Sequence, residues 1–455
     1  MLANKTTAGK EKIIVGLGKT GLSCARYLSA RGERFSVVDT RENPPGLGLF
    51  KESFPDVSVV LGRLDESMLL NASEVIVSPG ISLKQPAIAA ALAKGIPVYG
   101  DIDIFSHEAN APILAVTGSN GKSTVVSLLG DMVRNDGKRA GVGGNLDGEN
   151  AMPALDLLQQ ETADIYVLEL SSFQLETTQN LAAEVATILN ISQDHMDRYA
   201  SMSDYVQAKQ RIFLGCRHYV VNRNDYSSEP LLETEAQRWS YGLDSPGENE
   251  FGLIADDEGS FLAQGNVKLL DVKEMKLVGM HNILNALAAL TMGHAAGLSM
   301  PAMVQTLRSF SGLPHRCQWI RQIRGIDFYN DSKATNPGAA QVAIQSIGQM
   351  VSGAVILIAG GDGKGADFTQ LRDVVRQYVR TLILIGRDAE KMARHLGDTT
   401  ETILVEDMAS AVSSAVSYAL PGDAVLLSPA CASLDMYMDF RHRGRVFMAA
   451  VEALQ

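Results

Sequence analysis

Ile113-Leu114-Ala115-Val116-Thr117-Gly118-Ser119-Asn120-Gly121-Lys122-Ser123-Thr124 decides how the rest of the chain is read. An apolar run leads into a glycine turn, and Gly-Lys-Ser-Thr opens a helical stretch from Val125 to Val133. Backbone N–H groups of such a turn and of the first helical turn lack intrahelical partners and point one way, which makes an anion site. Glycines let the backbone approach a phosphate closely. Lys122 can reach the outer phosphates and Ser123 can ligate Mg²⁺. The spacing departs from the general phosphate loop, because Val116 stands five residues before Gly121 and the first glycine, Gly118, only three before. A shortened nucleotide loop is expected, with an ordinary strand–turn–helix corner as the plain alternative.

Working outward, 455 residues suggest three domains at roughly 150 residues each. With 46% hydrophobic and 20% charged residues, each third can bury its own core. A net charge of −12 argues against a nucleic-acid or anionic-membrane binder. The apolar runs, such as 351–360, are strand-sized and too short to span a bilayer. Cys24, Cys216, Cys317 and Cys431 form no Cys-x-x-Cys pair, so neither a zinc knuckle nor a disulfide framework is indicated. The polar N-terminus carries no apolar signal segment. A cytoplasmic protein fits these features.

Residues 12–105 alternate short β runs (12–16, 35–39, 75–77) with helical stretches (22–31, 86–94), the pattern of a parallel sheet. A second unit has strands at 113–117, 165–170, 185–189 and 218–222. Residues 226–278 carry short alternating runs read as antiparallel strands, and a helical run, 281–296, follows. Ser311-Gly312-Leu313-Pro314 reads as a hinge. Beyond it, strands at 326–330, 354–358, 381–385, 402–405 and 424–427 alternate with helical stretches. The expected class is α/β in three domains, bounded at 1–106, 107–312 and 313–455.

Gly16-Leu17-Gly18-Lys19-Thr20-Gly21 matches the dinucleotide fingerprint, and Asp39 closes the next strand about 18 residues on. Taken alone it supports a nicotinamide- or flavin-dependent oxidoreductase, or a nucleotide-bound fold without catalysis. A second nucleotide loop at Lys122 has no role in an oxidoreductase, and the same turn suits any nucleoside diphosphate.

Glu169 ends an apolar strand, where a carboxylate can hold Mg²⁺ or its water; a surface acid is equally common there. His195, in Asn190-Ile191-Ser192-Gln193-Asp194-His195, can ligate metal, though a lone histidine is more often structural. Lys209 is, by composition, merely a helical lysine. Asn282 and Asn285 stand one turn apart on a helix, fit for a base edge or for capping. Three polar loops, 331–337, 360–365 and 428–433, follow strands of one sheet and suggest a binding edge.

Together, Thr117 to Thr124, Glu169, the segment ending at His195, His281-Asn282-x-x-Asn285, His315-Arg316 and Asp331-Ser332-Lys333-Ala334-Thr335-Asn336 resemble the Mur ligases, ATP-dependent amide ligases of peptidoglycan precursor synthesis. The resemblance runs over nearly the whole chain, in order. The Gly16–Gly21 turn, Ser78-Pro79-Gly80, 360–367 and 428–435 look like the D-glutamate-adding branch; a folylpolyglutamate synthase-like ligase is the alternative within the superfamily. The implied fold is an N-terminal Rossmann-like UDP domain, a central P-loop ATPase-like α/β domain with extra antiparallel strands, and a C-terminal Rossmann-like amino-acid domain.

The implied roles follow residue by residue. Lys19, Thr20, Asp39, Thr40, Arg41 and Gly80 match UDP-binding positions, and Asn145 a substrate contact near the transferred phosphate. Gly118, Ser119, Asn120, Gly121, Lys122, Ser123 and Thr124 hold ATP phosphates. Ser123 and Glu169 serve one Mg²⁺ and His195 a second, with Mn²⁺ as an alternative metal. Lys209 matches a carbamylated lysine whose added carboxylate ligates metal. Asn282, Asn285, Arg316 and Asp331 match nucleotide contacts. Lys333, Thr335, Lys364, Ser433, Leu434 and Phe440 match the D-glutamate end, and Lys122, Glu169, His195, Lys209 and Lys333 carry the catalysis. The implied substrates are UDP-N-acetylmuramoyl-L-alanine, D-glutamate and ATP, handled by a monomer with no nucleic-acid or membrane partner.

Overall fold

A computed structural model describes residues 11–146, 152–192, 198–231, 234–277 and 279–454. The chain divides into two compact units, Met1–Glu274 with Leu284–Arg308, and Met275–Ile283 with Ser309–Gln455. The first holds two sheets and the second holds one, giving three α/β domains.

The first sheet runs, edge to edge, Val59–Leu61, Phe35–Asp39, Lys12–Val15, Glu74–Val77, Val98–Tyr99, all parallel. Its central strands are apolar at successive positions because both faces are covered. Ile14, Val37 and Ile76 pack with Leu22 and Leu28 of the helix Lys19–Ala30. Ile13, Val15, Val75 and Val77 pack with Ile88 and Ala91 of the helix Pro86–Ala93. The winding reverses beside Lys12–Val15, which opens a crevice at the carboxyl ends of Lys12–Val15 and Glu74–Val77.

The second sheet has nine strands, in the order Val267–Asp271, Gly259–Gln264, Phe251–Asp256, Gln237–Tyr241, His218–Asn222, Val185–Ile188, Ile113–Thr117, Ile165–Glu169, Ala140–Gly144. Ile113–Thr117 lies between two parallel neighbours, so the loop after it opens beside the ends of both. The expectation of antiparallel strands over 226–278 needs correction in part. Gln237–Tyr241 pairs parallel with His218–Asn222, whereas Phe251–Asp256, Gly259–Gln264 and Val267–Asp271 pair antiparallel. Tight turns force the hairpins, while the long connection before Gln237 allows a parallel crossover.

The third sheet runs Gln318–Ile323, Ile326–Asn330, Ala424–Leu427, Val355–Gly360, Val379–Ile385, Glu401–Leu404. Only its first strand is antiparallel. Arg324 and Gly325, both at positive φ, make the two-residue hairpin turn that joins it to the next strand. Among the described residues no helix is long and apolar enough to cross a membrane, and the four cysteines are free thiols.

Candidate active site

The apolar strand Ile113–Thr117 ends in a loop held by its neighbours. Thr117 Oγ1 donates to Leu170 O at 2.7 Å, Ser119 N to Asn190 O at 2.9 Å, and Asn120 N to Asn190 Oδ1 at 2.9 Å. The hydroxyls of Ser119 and Tyr205 lie 3.0 Å apart. Gly121, at φ 85°, begins the helix Lys122–Asn135, and a Cβ there would lie 2.4 Å from Asn285 Oδ1. Asn285 therefore stands against the loop. Lys122 Nζ donates to Gly118 O at 2.8 Å and Ser119 O at 3.1 Å, curled back across the loop.

Around this loop the structure gathers Glu169, Lys209 and Asn145. Val116 and Glu169 are register partners, so the carboxylate sits level with the start of the loop. Glu169 is 3% exposed, and its Oε2 has no hydrogen-bond partner among the described residues. A buried, unmet carboxylate oxygen level with the start of this loop fits a divalent cation. Among the described residues no three or more His, Cys, Asp or Glu side chains cluster as a metal site. His195 lies outside the described residues. Lys209 is 2% exposed; its Nζ donates to Gly118 O at 3.0 Å and lies 4.8 Å from the Tyr205 ring centre.

A cleft of about 550 Å³ leads away from this corner. Lys19, Thr20, Thr40, Arg41, Gly80 and Asn145, positions matched to substrate contacts in the sequence, line it. So do Ser78, Asp101, Ser171, Phe173 and Gln174. The helix Lys19–Ala30 starts at its mouth with no side chain capping the first turn, which leaves N–H groups for an anion. Asp39 lies behind the wall. It is fully buried; Oδ2 accepts from Leu17 N at 2.6 Å and Arg41 Nη2 at 2.7 Å, and Oδ1 from Arg41 N at 2.9 Å. Burial alone would push this carboxyl up, but the Arg41 guanidinium and the two amides hold it below its usual value. Asp39 thus aims the half-exposed Arg41 and braces the glycine turn. At the far end, Gly144 has φ 94° and no room for a side chain, since a Cβ would lie 2.2 Å from Glu169 O. That close pass lets Asn145 N donate to Glu169 O at 2.8 Å and Asn145 Nδ2 to Glu169 Oε1 at 3.3 Å.

Ser171 and Gln174 form a reciprocal cap, Gln174 N donating to Ser171 Oγ and Ser171 N to Gln174 Oε1, each at 3.1 Å. Sequence reading missed this turn, whose signal is the Ser-x-x-Gln spacing.

In the second unit, three polar loops leave neighbouring parallel strands at one edge. Asp362 and Ala432 exchange backbone hydrogen bonds, and Ser428 Oγ donates to Asp331 Oδ2 at 2.8 Å. Arg443, 1% exposed, donates to Ser332 Oγ (2.9 Å), Ser332 O (2.8 Å) and Cys431 O (3.0 Å). Burial pulls this guanidinium down to about 10. Sequence reading missed Arg443; its signal is the i, i+4, i+8 stripe with Phe447 and Val451 on the helix Phe440–Glu452. Lys333 Nζ lies 4.3 Å from the Phe440 ring centre, and Thr335 N donates to Lys333 O. Ser433 is buried, whereas Lys364 and Leu434 are exposed. Lys364 and Ala430 both sit in the left-handed region, at φ 48° and 59°, strain that the loop contacts must sustain and that collects at functional edges. Arg316 flanks Asp331, whose carboxyl burial pushes up to about 6 against the pull of Ser428 and the Cys317 amide. Asn282 is buried in the helix Met280–Ala295, which contributes residues to both units.

Models of the Mur ligase MurD-like N-terminal domain, the Mur ligase middle domain and the Mur ligase glutamate ligase domain match residues 10–100, 116–293 and 315–431. The chain is 53% identical over 443 residues to a UDP-N-acetylmuramoylalanine–D-glutamate ligase of Pseudomonas aeruginosa, covering 97% of this chain and 98% of that one. It is 51% identical over 445 residues to the enzyme of the same name from Marinobacter nauticus, covering 98% of each. Its fold is that of a UDP-N-acetylmuramate-alanine ligase from Thermotoga maritima (TM-score 0.59, 16% identity, 97% and 99% covered). A MurF structure from Acinetobacter baumannii is similar (TM-score 0.58, 18% identity, 85% and 86% covered).

Proposed function

The chain belongs to the Mur ligase family, and from that premise we propose that it is an ATP-dependent ligase joining D-glutamate to UDP-N-acetylmuramoyl-L-alanine in peptidoglycan precursor synthesis. One observation carries the reading: a single cleft runs from a nucleotide-type glycine turn to Asn145, which touches the acid beside the phosphate loop. A substrate tethered by its UDP at one end can therefore present its carboxylate where a γ-phosphate lies. The oxidoreductase reading loses its ribose acceptor, because Asp39 spends both oxygens on Leu17 and Arg41. The MurD-like N-terminal match favours a UDP-linked substrate over a folate.

An amide does not form from a carboxylate and an amine without activation. The alanyl carboxylate attacks the γ-phosphorus, giving an acyl phosphate and ADP. The D-glutamate amine then attacks the acyl carbon, and phosphate leaves. The first step joins two anions, and Lys122 with the loop amides offsets that repulsion. Gly118 to Thr124 and Asn285 hold ATP, with Asn282, Arg316 and Asp331 as further nucleotide contacts. Asn145 orients the carboxylate. Lys333, Thr335, Lys364, Ser433, Leu434 and Phe440 receive D-glutamate. Ser123, Glu169, His195 and Lys209, the last as a carbamate, would hold two divalent cations, Mg²⁺ or Mn²⁺, which supply charge neutralisation on the phosphates.

In this proposal residues 1–106 bind UDP, 107–312 ATP and 313–455 the amino acid, with 311–314 as the hinge. The enzyme works as a cytoplasmic monomer on small molecules, with neither nucleic acid nor membrane as partner. The test is isotopic. Substrate labelled with ¹⁸O in its alanyl carboxylate should deliver one label to the released phosphate; unlabelled phosphate would overturn the acyl-phosphate route.

A further inference from the structure

Asp101 opens the helix Asp101–Glu108 and lies on the cleft wall, outside the proposed ligase chemistry. It is 2% exposed, and its Oδ1 has no hydrogen-bond partner among the described residues. Burial pushes the carboxyl up to about 6 against the pull of Gln174 and of the Asp101 and Ile102 amides. The preceding Gly100 is pressed onto the helix Ser172–Thr177, since a Cβ there would lie 2.3 Å from Thr177 Oγ1. Buried polar atoms are nearly always satisfied, so an acid left half-satisfied in a ligand cleft calls for a partner.

Topology says which part of a ligand passes it. Gly16, Ser78 and Asp101 follow three adjacent strands of the first sheet, with Asp101 farthest from the glycine turn. On its other side Asp101 meets Gln174, from the helix that follows Glu169. Asp101 and Asn145 line the same cleft as the glycine turn, so a ligand that holds its diphosphate at that turn and reaches Asn145 has Asp101 in its wall. A carboxylate repels phosphate and carboxylate alike, so the group it takes is a neutral donor. Asp101 is a lining residue of the cleft, so a ligand that fills it meets this carboxyl.

We propose that Asp101 is a specificity-determining residue whose Oδ1 accepts a hydrogen bond from an N–H or O–H on the sugar–lactyl–alanine half of the substrate. The proposal rests on the UDP-linked substrate reading and adds that this acid reads the neutral middle of the ligand and excludes a phosphate from it.

The test is calorimetric binding of UDP and of UDP-N-acetylmuramoyl-L-alanine to the wild type, Asp101→Leu and Asp101→Asn, with thermal unfolding alongside. Asp101→Leu should bind the full substrate at least about tenfold more weakly while UDP affinity stays within about twofold. Asp101→Asn, a neutral acceptor, should fall between, since charge-assisted bonds are about twice as strong. Full-substrate affinity unchanged in a folded variant, or equal losses for UDP and full substrate, would overturn the assignment. If Asp101→Leu does not fold, the same comparison on Asp101→Asn decides. A wild type that binds neither ligand would instead sink the substrate reading itself.

Discussion

Asn145 Nδ2 donates to Glu169 Oε1 across 3.3 Å, joining the end of the substrate cleft to the acid beside the phosphate loop. The other Glu169 oxygen, Oε2, has no partner among the described residues. Glu169→Gln should keep the fold and raise the Mg²⁺ concentration needed for half-maximal turnover by at least about tenfold, because a neutral amide is a far weaker ligand for a hard cation. A magnesium titration of activity checks this, and an unchanged midpoint would remove Glu169 from the metal site.

Lys122 holds the one ammonium of the Gly-Lys-Ser-Thr turn. Lys122→Ala should leave the melting temperature near that of the wild type and lower turnover by at least ~10²-fold, the loss of one key electrostatic group. Near-normal turnover in the folded variant would end the phosphate-loop assignment.

The buried Lys209 lies 3.0 Å from Gly118 O, and the carbamate proposed for it would turn a cation into a metal-binding anion. Lys209→Ala should lose activity, and small carboxylates should restore part of it. A crystal loaded with metal and substrate that shows a plain amine would count against the carbamate.

Much of this is legible in the chain, and the reasons for what is not are physical. Apolar runs bounded by turn residues mark strands closely: Phe35–Asp39, Ile113–Thr117, His218–Asn222, Ile326–Asn330 and Ala424–Leu427 begin and end with their runs. Ala140–Gly144 escapes notice because three of its five residues are glycine, and Gln318–Ile323 because an edge strand can stay polar. The glycine turns and the three polar loops announce themselves through residue types with few other uses. Asp101 and Arg443 do not, because their meaning comes from burial against partners far along the chain, Gln174 for one and Ser332 for the other.

Arg443 ties two loops of the candidate glutamate edge through three hydrogen bonds. Arg443→Met fills much of the space but leaves carbonyls of Ser332 and Cys431 unpaired, each costing about 1–3 kcal/mol. Denaturant unfolding should show a loss of a few kcal/mol, and the KM for D-glutamate should rise more than that for ATP. Equal stability would mean that the loops hold their shape without it.

Asp331 titrates at about 6 in the fold, above the 3.8 of a free aspartate. The folded state therefore binds this proton more tightly, and stability falls as pH rises through that window. Wild type should lose at most about 3 kcal/mol relative to Asp331→Asn between about pH 4 and pH 7, with the full difference present above about pH 6. Unfolding curves for both proteins across this range test it, and a constant difference would show that the carboxyl keeps its ordinary value.

The most direct test of the ligase reading is phosphate release from ATP in the presence of UDP-N-acetylmuramoyl-L-alanine and a panel of amino acids. With both carboxylates of the acceptor held, inverting its α-carbon swings the amine away from the acyl carbon, and small misplacements are costly in rate. D-Glutamate should drive rapid phosphate release, while L-glutamate, D-aspartate, D-glutamine, L-lysine and diaminopimelate should each give little. Comparable release with any of these, or none with D-glutamate, would contradict it.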